Sequence, residues 1–229
     1  MKDTDILNEY GRTGKNLPST HDVALYLRSL VNYEEDGFIT QLMLYKLTYY
    51  AQAWSLVFLR EPLFNGEIRA WRHGPVPIEI IPDYKDYKKL PIPQPSERTE
   101  DLANLFTEEQ LKVLNLVWDK YGDFNASKLW KLCHLEDPWV NARGNLLPEA
   151  SSNVLMTEDS IRDYYSQFAY IDDGEFVIED EALKTNKDEV LFAIIELKDG
   201  SKHRVELGQT QSFFNKHRKD LTKKKFSFI

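Results

Sequence analysis

The chain has 229 residues, of which 42% are hydrophobic and 13% aromatic, and its formal net charge is −8. This composition excludes a largely disordered protein, and the length allows one large domain or one domain with a smaller appendage. Residues 202–229 contain eight Lys and Arg and two acids, a net +6, so the rest of the chain carries −14. We therefore expect an acidic body with a basic tail.

The single cysteine, Cys133, excludes an intramolecular disulfide and a cysteine zinc cluster, and it favours a reducing compartment. The first residues lack the pattern of a signal peptide, and no uninterrupted apolar stretch is long enough to cross a bilayer. We expect a cytoplasmic protein without a membrane partner.

The first half of the chain predicts a flexible arm followed by helices. Residues 1–18 are polar, and Ser19 or Thr20 then caps a helix. Thr40 caps the longest predicted helix, about residues 40–60, whose apolar stripe has helical spacing. The stripe consists of Leu47, Tyr50, Ala51, Trp54 and Phe58. A helix this apolar and aromatic is predicted to be central to the core.

The middle of the chain alternates turn signals with shorter helices. Residues 68–71 predict a short extended stretch, Gly74 and Pro75 predict a turn, and residues 77–86 predict a short helix. Three more helices are predicted from capping residues and apolar spacing. They begin near Thr107, Asn125 and Thr157, and a further short element that contains Trp139 begins at Asp137.

Composition shifts after Tyr170 towards strand-forming patterns. Strands are predicted at 176–178, 190–197, 203–207 and 226–229, a hairpin turn at Asp199-Gly200 and a helix at 212–221. The sequence thus predicts a mainly α protein. A compact helical domain of about six to seven helices spans 19–170, and a small α+β appendage containing a β-hairpin spans 171–229.

A search for catalytic chemistry predicts a protein that is not an enzyme. His134 precedes Glu136 and Asp137, but a helix-end histidine near carboxylates explains this grouping better than catalysis. Cys133 is interpreted as a small buried residue. The histidines include no pair at helical spacing, so neither a metal site nor a cofactor is predicted.

Two segments are more distinctive. Lys46, Tyr50 and Trp54 share one strip of the long helix. A lysine that lies along aromatic faces gains about 0.5–2 kcal/mol of cation–π energy. One interpretation is that its stem lies along the edge of the core, with its charge in water. The other is that the strip supports or contacts a partner surface.

The second segment, residues 70–76, reads Ala-Trp-Arg-His-Gly-Pro-Val. Gly74 permits backbone angles that side chains forbid, and Trp71 can anchor the loop by burying its ring. Arg72 and His73 would then be presented outward, and aromatics and arginine are enriched at protein interfaces. A structural corner explains Trp71, Gly74 and Pro75 about as well. The predicted partner-binding residues are Lys46, Tyr50, Trp54, Trp71, Arg72 and His73.

Together these segments resemble the SocA-like Panacea antitoxin domain, also called phage-associated GepA-like proteins. The resemblance is carried by residues 45–54, 62–64, 70–76 and 138–139 and covers about residues 19–169. It implies a compact helical domain from bacterial or prophage toxin–antitoxin operons. It further implies an antitoxin that neutralises a protein toxin, usually encoded adjacently, by direct binding.

An alternative prediction is a DNA-binding transcriptional autoregulator that uses the basic tail. Its candidate residues are Lys216, Arg218, Lys219, Lys223, Lys224 and Lys225. A second explanation is that these basic side chains pair with the acidic stretch 172–189 of the same chain. On composition alone, this explanation is favoured over DNA binding.

Overall fold

The computed structural model describes residues 17–35, 37–147, 150–184, 192–196, 199, 202–206, 216 and 227–228. These residues form eight α-helices, several 3-10 turns and three small antiparallel sheets. The prediction of a mainly α protein with a C-terminal hairpin is confirmed. None of the described helices combines the length and apolar character needed to cross a membrane.

The helices follow one another along the chain with short strands between them. They are α1 (Thr20–Ser29), α2 (Gln41–Phe58), α3 (Ile81–Tyr84), α4 (Thr99–Ala103), α5 (Glu108–Tyr121), α6 (Ala126–Leu135), α7 (Asp137–Arg143) and α8 (Glu158–Tyr165). The strands are β1 (Ile68–Trp71), β2 (Gly74–Pro77), β3 (Ala169–Asp172), β4 (Glu175–Ile178), β5 (Phe192–Glu196), β6 (Lys202–Glu206) and β7 (Ser227–Phe228).

Helix α2 is the centre of the core, as its composition predicts. Every residue from Met43 to Val57 is buried, and α1, α5, α6, α8 and β2 pack around the helix. A helix that is buried on all sides needs partners for its polar side chains. Gln52 supplies an example, because its amide oxygen accepts hydrogen bonds from the backbone of Leu63 (2.9 Å) and Phe64 (3.2 Å).

Capping residues fix where the helices begin. Ser19 and Asp22 form a reciprocal capping box at α1, and Thr107 and Gln110 form another at α5. Helix α4 was not predicted, and its N-cap residue, Arg98, makes no side-chain cap. The described residues thus contain eight helices, close to the six to seven expected.

Three extended segments form the sheet that carries the predicted loop. Strands β1 and β2 pair with Trp71 opposite Gly74, which leaves a two-residue turn. The segment 154–156 adds to the other side of β1: the Ala70 N–H donates to Val154 O (2.8 Å), and the Met156 N–H to Ile68 O (2.9 Å). The single extended stretch predicted at 68–71 is thus the central strand of three.

The β3–β4 hairpin begins the predicted appendage and packs on the helical body. Phe176 stacks on Phe58 of α2 with ring centroids 4.6 Å apart, and Ile178 is buried. The division into a domain at 19–170 and an appendage at 171–229 remains a prediction. The Phe58–Phe176 contact provides a direct test of it.

Replacing Phe176 with Ala should lower the free energy of unfolding of the helical body by about 1–2 kcal/mol, because a stacked, partly buried ring is lost. Tyr170→Ala, on an exposed residue of the same hairpin, should change it by less than about 0.5 kcal/mol. Urea denaturation followed by tryptophan fluorescence reports on the body. Equal effects of the two substitutions would indicate a hairpin that is independent of the body.

The C-terminal strands match their predictions. Strand β5 pairs with β6 and β7, and Asp199 lies in the turn between β5 and β6. The N-terminal arm, apart from residues 17 and 18, lies outside the described residues. So does the helix predicted at 212–221, apart from Lys216.

Candidate functional site

The turn between β1 and β2 is held from beneath by buried side chains of the helical body. Four carbonyl oxygens of the hairpin each lie within hydrogen-bond distance of a side-chain nitrogen. The pairs are Ala70 with Arg143 Nη1 (3.3 Å), Trp71 with Trp139 Nε1 (2.8 Å), Arg72 with His134 Nε2 (3.1 Å) and Pro75 with Lys46 Nζ (2.8 Å). Strand carbonyls usually pair with backbone, so this arrangement fixes the hairpin to α2, α6 and α7.

Two features of this hairpin require a glycine at position 74: the backbone angle and the close approach of two side chains. Its φ of +97° lies in the region that side chains rarely adopt. A Cβ atom there would lie 2.5 Å from Cys133 Sγ and 2.7 Å from Lys46 Nζ. Gly74 therefore lets the thiol and the ammonium approach the backbone.

Lys46 is fully buried, including its ammonium group. Burial lowers its pKa to about 8, although the nearby Cys133 and Glu136 oppose that shift. The ammonium donates to Pro75 O instead of lying over an aromatic ring, and its head does not reach water. The expected cation–π strip and the solvated lysine head are both replaced by a buried hydrogen bond to the hairpin.

Glu136, at the junction of α6 and α7, is another buried ionisable group. The Tyr50 hydroxyl donates to its Oε1 at 3.0 Å. Burial raises the pKa of Glu136 to about 7, while the hydroxyls of Tyr165 and Tyr50 and the charge of Lys46 counteract the rise. Burial therefore shifts the pKa values of Glu136 and Lys46 towards each other inside one core.

His134 and Cys133 lie beneath the hairpin, and both side chains are in the uncharged form that suits a packed interior. The His134 ring lies between Trp130 and Trp139, with centroids 4.0 and 4.1 Å away, and burial lowers its pKa to about 3. Burial raises the pKa of the Cys133 thiol to about 12. At neutral pH the ring is uncharged and the thiol is protonated.

Arg72 and His73 form the exposed end of the hairpin. The Arg72 guanidinium contacts His73 Nε2 through Nε (3.1 Å) and Nη2 (2.8 Å). Burial, Arg72 and Lys46 lower the pKa of His73, so its ring is neutral and Nε2 can accept. Beside them lies a groove of about 760 Å³, which is lined by Trp71, Arg72, His73, Ser151, Ser152 and Asn153. Trp71 Nε1 donates to Asn153 Oδ1 (3.1 Å) across it.

The six predicted partner-binding residues thus fall into two layers. Lys46, Tyr50 and Trp54 are buried, so they support the hairpin and the core and are not exposed to a partner. Trp71 is partly exposed, and Arg72 and His73 are exposed. Partner binding by any of the six remains a prediction.

Sequence reasoning missed several residues of this site. Arg143 and Asn153 gave no local signal, because each acts on a segment distant in the chain. Glu136 was noted only as a carboxylate near His134, and its contact with Tyr50 was not predicted. Pro138 and Trp139 were part of the motif, but only the fold shows that the Trp139 indole donates to the hairpin. Of the six basic-tail residues, only Lys216 is described, and it is exposed. The remaining five lie outside the described residues.

The geometry defines a mainly α domain with a side-chain-anchored β-hairpin. Comparison with known families is more specific: residues 44–140 match the model of the antitoxin SocA-like, Panacea domain. The family resemblance predicted from the motifs is confirmed over these residues, which include α2 from Leu44 onward, the hairpin, Glu136 and Trp139. Searches of curated proteins and of solved structures found no match.

Proposed function

We propose that the protein is an antitoxin of a bacterial or prophage toxin–antitoxin system. It binds a protein toxin, encoded by an adjacent gene, in the cytoplasm and neutralises it without catalysis. The observation that carries the proposal is the match of residues 44–140 to the antitoxin SocA-like, Panacea domain. The matched segment contains every residue of the anchored hairpin.

We assign the toxin-binding surface to Trp71, Arg72 and His73 and the groove beside them. Four buried side chains fix the hairpin backbone, so Arg72 and His73 are presented with little conformational freedom. Preorganisation of this kind lowers the entropy that is lost on binding. Arginine and tryptophan at the centre of an interface often supply most of its energy.

Co-expression tests the proposal directly. Each gene product encoded beside the antitoxin should be expressed alone and with it, and growth and complex formation should be measured. The expected result is one toxic product whose toxicity is relieved and which co-purifies with the antitoxin. If no adjacent product is both rescued and bound, the proposed function is wrong.

Arg72→Ala should weaken the complex about 10–100-fold, because a central arginine accounts for about 1.4–2.8 kcal/mol at such interfaces. The dissociation constant from titration calorimetry measures the effect. Arg98→Ala is the matched control, since Arg98 is an exposed arginine of another segment and pairs with Glu100. Equal affinities of the two variants would remove Arg72 from the interface.

A further inference from the structure

The segment 153–155 forms an open edge of the sheet beside Arg72. Leu155 and Arg69 are an antiparallel pair, and the flanking bonds to β1 are made by Val154 O and Met156 N. In this pattern the N–H and C=O of the central residue point away from the neighbouring strand. The N–H and C=O of Leu155 therefore face the outer edge, where they have no hydrogen-bond partner among the described residues.

The same edge exposes apolar side chains. Val154 and Leu155 are each 43% exposed, which is unusual for adjacent aliphatic residues of a paired strand. An extended peptide that pairs with such an edge obtains main-chain hydrogen bonds and covers apolar side chains together. Open edges of this kind are generally covered or blunted in monomeric proteins.

A positive charge beside one end of the 153–155 edge indicates which side chain a bound peptide should carry there. Strand 153–155 runs antiparallel to β1, so its first residues lie beside the Arg72–His73 turn, across the groove of about 760 Å³. Among the described residues the Arg72 guanidinium contacts His73, which is a neutral acceptor. Within the described part of the chain, the Arg72 cation therefore has no carboxylate partner in this groove, and arginine pairs with carboxylates in bidentate geometry.

We propose that the toxin docks by adding an extended segment as a further strand along residues 153–155. The residue opposite Leu155 exchanges both backbone hydrogen bonds with it, and a carboxylate at the end of the segment enters the groove to bind Arg72. This inference rests on the proposed antitoxin function and goes further, since it states the backbone form and the charge of the bound segment.

The test uses the full-length antitoxin and the toxin identified by co-expression. Leu155→Pro removes the outward N–H without removing a bond to β1, and the extended backbone at this position suits proline. Leu155→Ala is the matched control, because it trims the side chain and keeps the N–H. We expect at least a tenfold loss of affinity for Leu155→Pro and a clearly smaller loss for Leu155→Ala, with both variants retaining the wild-type far-UV spectrum.

Amide hydrogen exchange of the wild-type protein supplies a second readout that does not depend on a variant. The Leu155 amide should exchange rapidly in the free antitoxin and at least tenfold more slowly in the complex. A complex in which Leu155 stays unprotected, or in which both Leu155 variants bind equally well, overturns the strand-addition inference and leaves the antitoxin function standing. If no adjacent product forms a complex, the proposed function and this inference fail together.

Discussion

Gly74→Ala is expected to lower the free energy of unfolding by about 3 kcal/mol or more. The positive φ of +97° costs a side-chain-bearing residue about 1–2 kcal/mol. The new Cβ would also meet Cys133 Sγ at 2.5 Å and Lys46 Nζ at 2.7 Å, and overpacking of a core costs about 1–3 kcal/mol more. Urea denaturation of the purified variant measures the sum.

A control in the same chain separates the two costs. Gly174 also has a positive φ, +82°, but a Cβ there would have no atom within 4 Å. Gly174→Ala should therefore cost about 1 kcal/mol, from the backbone alone. Cys133→Ala in the Gly74→Ala background should recover part of the loss, because it removes the nearest clashing atom. A cost at Gly74 no larger than that at Gly174 would contradict the close approach of thiol and hairpin.

The hairpin gives this prediction a functional consequence. Any shift of Gly74 moves the turn that carries Arg72 and His73, because the turn ends at that glycine. The Gly74→Ala variant should therefore bind toxin more weakly than Gly174→Ala, even at temperatures where both are folded. Under the proposed assignment of toxin binding to this hairpin, stability and binding both depend on Gly74, because the buried anchors and the exposed turn belong to the same hairpin.

Local sequence signals predicted the helices well and the site only partly. The capping boxes at Ser19 and Thr107 are interactions three residues apart, so the sequence contains all of their information. The apolar stripe of α2 likewise predicted a central helix. Lys46 was misleading because a lysine on an apolar strip is usually placed at a core edge. Its buried position depends on Pro75 O, 29 residues away.

The third strand of the sheet shows the same limit. Residues 153–156 contain no strong strand pattern, and they pair with β1 across more than 80 positions of chain. Only the closed fold brings them beside the hairpin. The residues that complete the site, Asn153 and Arg143 among them, are likewise supplied by tertiary contacts that no local spacing encodes.

Glu136→Gln should make stability rise more steeply with pH than in the wild type between about 4.5 and 7, because it removes a contribution that falls as pH rises. The pKa of Glu136 is raised by burial from 4.5 to about 7, so in this window the folded protein holds a proton that the unfolded chain has lost. The raised pKa stabilises the fold below about pH 4.5, and this contribution is lost as pH rises through about 7. At about 1.4 kcal/mol for each pKa unit, the wild type should lose up to about 3 kcal/mol relative to the variant.

Lys46 does not contribute within this pH window. Its pKa is lowered from 10.5 to about 8, so its stabilising contribution is present above about pH 10.5 and is lost as pH falls through about 8. The buried His134 does contribute, with the opposite sign, because its pKa is lowered from 6.5 to about 3 and its contribution to stability is lost as pH falls through about 3. Both proteins contain His134, so the difference between their urea denaturation results at several pH values from 4.5 to 7 isolates Glu136. Glu34→Gln, which removes an exposed carboxylate, should give a curve parallel to the wild type. A Glu136→Gln curve that is also parallel to the wild type would contradict the raised pKa of Glu136. It would mean that Glu136 is ionised throughout the window and that Tyr50 and Lys46 stabilise its charge enough to offset burial.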